Sequence, residues 1–185
     1  MIEFKPAGAS KTTLTELMIP AYANFSGKIH GGTLLSLMDK VAYACAYKHA
    51  GNYCVTVSVN RVEFLQPVEV GDMIYMDAEV HYVGRSSMII GIEVSSENFK
   101  TNTRRPTNSS YFTMVAKDDA GNPTTVPGLI LETETHIRNF IKAMKLKELV
   151  GKLKDDLLEI ETQLHYQVDF ELLKKERCKI LREPE

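Results

Sequence analysis

The sequence has no tryptophan, only three cysteines, no block of like charge and no apolar run long enough to cross a bilayer. Each absence excludes something. A membrane-spanning helix needs roughly 18 or more apolar residues in succession, and the most apolar stretch, Leu34 to Ala46, is interrupted by Ser36, Asp39 and Lys40. Cys45, Cys54 and Cys178 form an odd set without CxxC or Cys/His ligand spacing, which argues against a disulfide framework and a metal centre. His49, His81, His136 and His165 show no ligand spacing either. Cys45 and Cys54, set among apolar neighbours, read as packed thiols rather than nucleophiles. No apolar export segment follows Met1, so a reducing, cytoplasmic home is expected. With 22 basic and 24 acidic residues and no block of like charge, neither a nucleic-acid surface nor an acidic tail is indicated.

What is present suits one compact core with an appendage: 44% of residues are hydrophobic and 25% charged. Thr12 to Ile19 reads as a strand that ends at Pro20, followed by a loop from Ala21 to His30. A helix from Thr33 to Ala50 comes next and is apolar around most of its circumference, so it is expected to be buried; Gly51-Asn52 stops it. Four segments with period-two alternation follow, Val55–Phe64, Met73–Val83, Met88–Ser96 and Ser110–Lys117, separated by turn residues such as Gly84-Arg85 and Asp119-Ala120-Gly121-Asn122. In the first of these the valines Val55, Val57 and Val59 are expected to form one face against Thr56, Ser58 and Asn60. A half-apolar sheet and one very apolar helix cover each other if the sheet curls around the helix, an α+β arrangement. One helix cannot cover five strands, and open sheet edges favour pairing between copies, so a homodimer is expected.

Beyond Thr135 the composition changes. Residues 136–185 carry 11 of the 22 basic residues, and Leu146, Val150, Leu153, Leu157, Ile160 and Leu164 recur at spacings of four and three. The expected organisation is therefore a domain over 1–135 and an amphipathic helical extension over 136–185, either packed on its own sheet or in contact with another subunit.

The segment from Asn24 to Asp39 holds the residues best suited to chemistry. Gly31-Gly32 at the helix start would let a ligand approach free backbone N–H groups where the helix dipole is positive, a plausible oxyanion site. Asp39 sits within the apolar helix with Leu35, Ser36, Ala42 and Tyr43 three and four residues away and no basic partner. The glycines equally permit a tight turn, Asp39 equally belongs to a narrow polar strip with Lys40, and His30 reads as a capping residue more readily than as a base.

The run Asn24-Phe25-Ser26-Gly27-Lys28-Ile29-His30-Gly31-Gly32 through Asp39 resembles the signature of the hotdog-fold acyl-CoA thioesterases, in the branch of bacterial short-chain and cytosolic brain-type acyl-CoA hydrolases. Further matching pieces follow in order: Thr56-Val57-Ser58-Val59, Phe64-Leu65-Gln66-Pro67-Val68 with Val70-Gly71-Asp72, Val83-Gly84-Arg85-Ser86-Ser87, Glu97-Asn98, Thr107-Asn108 and Tyr111 to Ala116. The resemblance covers about residues 12 to 130.

It implies a hotdog fold, a curved antiparallel sheet wrapped around a long central helix, with the C-terminal helical extension added. It implies a site shared across a dimer interface, with Asn24 from one subunit, Asp39 from the other in a dry environment, and the N–H of Gly32, aided by Gly31, on the thioester carbonyl. Contacts to coenzyme A would fall on Thr56, Val57 and Ser58 and on Arg85, Ser86 and Ser87, where a guanidinium and hydroxyls suit phosphate oxygens. Acyl-CoA is then the substrate, no separate cofactor is required, and a trimer of dimers is the assembly common in the family. Arg104-Arg105-Pro106 reads as a solvated loop. The rival readings are a non-catalytic acyl-CoA or acyl-carrier sensor, and a hydratase, which would want an acidic partner for His30.

Overall fold

In the computed structural model, which describes residues 3–164 together with 173, 175–179 and 181, the chain divides into two units, residues 1–145 and 146–185. The first unit begins with a short strand, Phe4–Pro6 (β1), a 3-10 turn at Ala7–Ser10 and strand Thr12–Leu17 (β2). The long helix Gly31–Ala50 (α1) precedes four strands: Cys54–Phe64 (β3), Met73–Val83 (β4), Ser87–Asn98 (β5) and Thr103–Ala116 (β6). Strand Gly128–Ile130 (β7) and helix Glu134–Leu164 (α2) complete the order. The five-stranded sheet runs β2-β4-β5-β6-β3 with antiparallel neighbours, and β1 pairs in parallel with β7. This is the α+β hotdog architecture expected from the alternation of one long apolar helix with amphipathic strands.

The core lies between α1 and one face of the sheet. Leu34, Met38, Val41, Ala42 and Cys45 of the helix are buried against Ile74, Met76, Ile90, Ile92, Phe112 and Met114. Each of the larger of these side chains, from Val41 to Phe112, contributes about 1.5–3 kcal/mol of transfer free energy, which favours burying a helix with so little amphipathic contrast. Gly51 at φ 72° ends α1, its N–H donating to the Tyr47 carbonyl at 2.8 Å. Among the described residues no helix is long and apolar enough to cross a membrane.

Two expectations need correction. The valine face of β3 is not buried in the single chain: Val57 is 61% and Val59 39% exposed. β3 is an outer strand of the sheet, and its register against β6 slips at Val57 and again at Asn60, so both residues are bulged out. Arg104-Arg105-Pro106 is not a loop but part of β6, which starts at Thr103. Arg104 stacks over the Tyr75 ring at 4.1 Å and donates to Ser95, while Arg105 donates to the Pro67 carbonyl and stands 3.9 Å from the fully buried Asp72. These guanidiniums hold strands together rather than waiting for phosphate.

The first unit extends past the composition change at Thr135. Phe140 packs on Tyr82, with ring centroids 5.1 Å apart, and Ala143 is fully buried. Beneath this segment lies a polar cavity of about 180 Å³ lined by Lys11, Glu79, His81, Glu93, Tyr111 and Lys142, among others. His81 occupies a bulge of β4 and receives Asn139 at 3.3 Å; Glu79 lies 3.8 Å from it and 3.6 Å from His136. In the second unit, described side chains of α2 such as Leu153, Leu157 and Ile160 are about half exposed. His165 lies outside the described residues.

Burial first, then the nearby Lys142 and His136 charges, holds His81 down at about 4. The unfolded chain takes up this proton near pH 6.5 and the folded chain does not, so the stabilising difference is fully present above pH 6.5 and is lost as pH falls toward 4. Between pH 7 and pH 5 the loss from this residue is roughly 2 kcal/mol. Burial lowers His49 in the same direction, and the raised Glu93 acts in the opposite one. Urea midpoints at both pH values are expected to fall on acidification in the native chain and to fall less in His81→Gln; equal slopes would remove His81 from the account.

Candidate active site

The loop before α1 is folded by Asn24. Its Oδ1 accepts from the Ser26 N–H at 3.0 Å, the Ser26 hydroxyl at 2.7 Å and the Lys28 N–H at 3.2 Å. Three donors converging on one oxygen orient the amide, so Nδ2 is the group left to meet a ligand. Gly27 at φ 78° makes the tight return possible, and Phe25 at the loop tip is fully exposed.

His30 is the N-cap of α1, as its position before the glycines suggested. Its Nδ1 accepts from the Gly32 N–H at 3.0 Å, and its carbonyl accepts from Thr33 and Leu34. The consequence for the oxyanion expectation is specific: the Gly32 N–H is engaged by the cap, and it is the Gly31 N–H that makes no hydrogen bond among the described residues. A Cβ on Gly31 would stand 3.3 Å from the Phe64 ring, and one on Gly32 would stand 3.1 Å from His30 Nδ1. Both glycines therefore keep the approach to the helix start narrow but passable.

Asp39 lies farther along α1. In the single chain it is exposed, not held in a dry environment. Its partner comes from the neighbouring strand: the Thr56 hydroxyl donates to Asp39 Oδ1 at 2.6 Å and also touches Met114 Sδ at 3.2 Å. The bulge at Val57 follows immediately in β3. Asp39 and Thr56 share the wall of a cavity of about 400 Å³ with Lys40, Tyr43, Tyr53, Cys54 and Val55. Tyr43 contacts both Tyr47 and Tyr53 with centroids 6.1 Å apart, giving the cavity an aromatic side. Burial pushes the Cys54 thiol up to about 11 and Cys45 up to about 12, so neither is a thiolate at neutral pH.

The structure thus joins Asp39 and Thr56, while Ser58 turns its hydroxyl to Asn60 Oδ1 at 2.8 Å and Val57 is simply exposed. Arg85, Ser86 and Ser87 form the β4–β5 turn. All three carbonyls accept backbone hydrogen bonds, from Val126, Ala116 and Gly84, so the turn is held from three sides. The Arg85 side chain is exposed and makes no ion pair or hydrogen bond among the described residues. Sequence reasoning missed Tyr43, Tyr53 and Lys40 as cavity walls; the spacing of Asp39, Lys40 and Tyr43 on α1 was a signal for two of them, whereas nothing local links Tyr53 to them. Among the described residues no group of three or more His, Cys, Asp or Glu side chains is placed to hold a metal.

Residues 26–101 match the family model described as "Thioesterase superfamily". Protein VdlD of Helicobacter pylori is 43% identical over 143 residues, covering 77% of this chain and 82% of VdlD. Among solved structures, an apo-hexameric acyl-CoA thioesterase superposes with a TM-score of 0.80 at 36% identity, covering 83% of this chain and 98% of that one. An asparagine-to-alanine variant of the acyl-CoA hydrolase from Staphylococcus aureus, in complex with coenzyme A, superposes with a TM-score of 0.82 at 29% identity, covering 90% of this chain and all of that one. The same hydrolase has been solved with a threonine and with an aspartate replaced by alanine.

Proposed function

This chain belongs to the thioesterase superfamily, in its acyl-CoA hydrolase branch, and we propose that it hydrolyses acyl-CoA to a free fatty acid and coenzyme A at a site built by Asp39 and Thr56 of one copy and Asn24 of another. The observation that carries the proposal is the Asp39 carboxylate on the wall of the 400 Å³ cavity, oriented by a 2.6 Å hydrogen bond from Thr56. Asparagine, aspartate and threonine are also the residue types replaced in the Staphylococcus aureus variants.

In this reading Asp39 accepts a proton from water as the water oxygen attacks the thioester carbon. The oxygen of the tetrahedral intermediate is met by backbone N–H groups at the start of α1 of the copy that supplies Asn24, because roughly 12 Å of helix separates Gly31 from Asp39 within one chain; Gly31 is open there and Gly32 is reached when the His30 ring yields its hydrogen bond. Collapse breaks the carbon–sulfur bond, and the proton held by Asp39 passes to the leaving sulfur. Direct attack by Asp39, expelling coenzyme A as its thiolate and giving an acyl anhydride that water then opens with a proton passed to the sulfur, fits the same geometry. Asn24 Nδ2 orients the water or the carbonyl. The open β3 edge, with Val57 and Val59 exposed, is where a second copy would pair, covering Asp39 and drying the cavity. A dimer is then the minimal unit, a trimer of dimers its assembly, and the cytoplasm its place of work. Coenzyme A enters as part of the substrate and leaves as product, with no separate cofactor.

Arg85, with Ser86 and Ser87, is assigned to the phosphates of coenzyme A. The experiment is release of free thiol from a series of acyl-CoA substrates. The native chain is expected to turn over, and Arg85→Ala to raise KM roughly tenfold with kcat within about twofold, the signature of lost uniform binding. Binding of acyl-CoA without thiol release would mark a sensor and sink the hydrolase reading; an unchanged KM would remove Arg85 from the site.

A further inference from the structure

We propose that the Leu146–Leu164 segment of α2 docks antiparallel on the same segment of a second copy of this chain. Three observations converge. Leu146, Val150, Leu153, Leu157 and Ile160 follow the four-three spacing of a helix seam, and in the structure Leu153, Leu157 and Ile160 remain 57%, 50% and 49% exposed. In antiparallel alignment one midpoint serves every layer: Val150 faces Ile160 of the second copy and Leu153 faces Leu157. The third observation is charge, and it selects the direction.

Along this segment Lys147, Lys152 and Lys154 come first and Asp155, Asp156, Glu159 and Glu161 follow. Residues flanking the seam meet their counterparts differently in the two orientations. A parallel pair sets Asp156 against Glu161 twice, like charge against like. An antiparallel pair sets Lys147 against Glu161 twice and opposes the helix dipoles as well. At the midpoint Lys154 and Asp156 each meet their own counterpart, which limits the strength of the pairing. The seam is also short, so the contact is weak and reversible, and it is the association step that dilution removes first.

The test uses the full-length chain, its mass followed by sedimentation over a dilution series and its helix content by circular dichroism. Leu153→Glu with Leu157→Glu is expected to remove one association step without loss of helix. Lys147→Glu alone is expected to weaken that step by roughly three- to tenfold, and Lys147→Glu with Glu161→Lys to restore it. Direction is read by cross-linking with a short bis-maleimide in a Cys178→Ser background, since Cys178 is exposed. A Lys147→Cys chain is expected to cross-link only when co-expressed with a Glu161→Cys chain. Self-cross-linking of Lys147→Cys, which a parallel pair would give, overturns the proposal. An unchanged mass in the double leucine variant overturns it too.

Discussion

Replacing Asp39 with asparagine is expected to lower kcat for acyl-CoA hydrolysis by roughly 10²–10⁴-fold, the range for loss of a positioned general base, with KM changed by no more than a few-fold. The substitution keeps the shape of the side chain and leaves an oxygen for the Thr56 hydroxyl, which donates to Asp39 Oδ1 at 2.6 Å. Packing is therefore preserved, and so is the cavity wall; what disappears is the capacity to take a proton or to attack carbon. Removing the hydroxyl instead, by Thr56→Val, is expected to give a smaller loss, because the carboxylate keeps its chemistry and loses only its orientation. Turnover by Asp39→Asn close to that of the native chain would remove Asp39 from the mechanism, whatever the fate of the cavity.

A second large effect is expected far from that cavity. A Cβ added to Gly91 would stand 2.0 Å from Cε1 and 2.3 Å from Nδ1 of His81, so Gly91→Ala forces the ring out of its place. The ring cannot move freely: its side chain is only 11% exposed, Tyr111 packs edge-on against it and Asn139 lies at 3.3 Å. Overpacking at such a position costs about 1–3 kcal/mol, and the upper end is expected here because a buried polar network is disturbed as well. His81→Ala in the Gly91→Ala background should recover most of the loss, giving a coupling that a thermal or urea double-mutant cycle measures directly. Additive destabilisation by the two changes would contradict the steric account. Gly128 is a useful contrast: a Cβ there would approach the Phe4 ring at 2.4 Å, but Phe4 is 58% exposed and can swing aside, so Gly128→Ala is expected to be mild.

Periodicity carried most of the architecture. Met73–Val83 buries Ile74, Met76, Ala78 and Val80 as its alternation required, and α1 stops at Gly51 because a left-handed residue was needed there. The misreadings fall where periodicity is interrupted or depends on a neighbour. The valines of β3 look like a core face, yet two bulges and an outer position leave Val57 and Val59 on the surface, and neither bulges nor strand order leave a local trace in residue types. β6 begins at Thr103 rather than Ser110 because Arg104 and Arg105 are anchored by Tyr75, Ser95 and Pro67, partners remote in sequence. At the candidate site, Gly31, Gly32 and Asp39 could be picked out from residue type and position, His30 as the cap that precedes them, and Asn24 through the family resemblance. That Thr56 serves Asp39 is a fact of three-dimensional meeting that no spacing encodes, whereas the hold of His30 on the Gly32 N–H is a local cap two residues away.

The exposure of Asp39 in the single chain has a further meaning for a newly made molecule. If the drying of this acid depends on a second copy pairing along the β3 edge, an isolated subunit is chemically silent, its carboxylate bathed in water. Catalytic competence would then be acquired at the moment of encounter, and the cell's thioesters would be safe from the monomer.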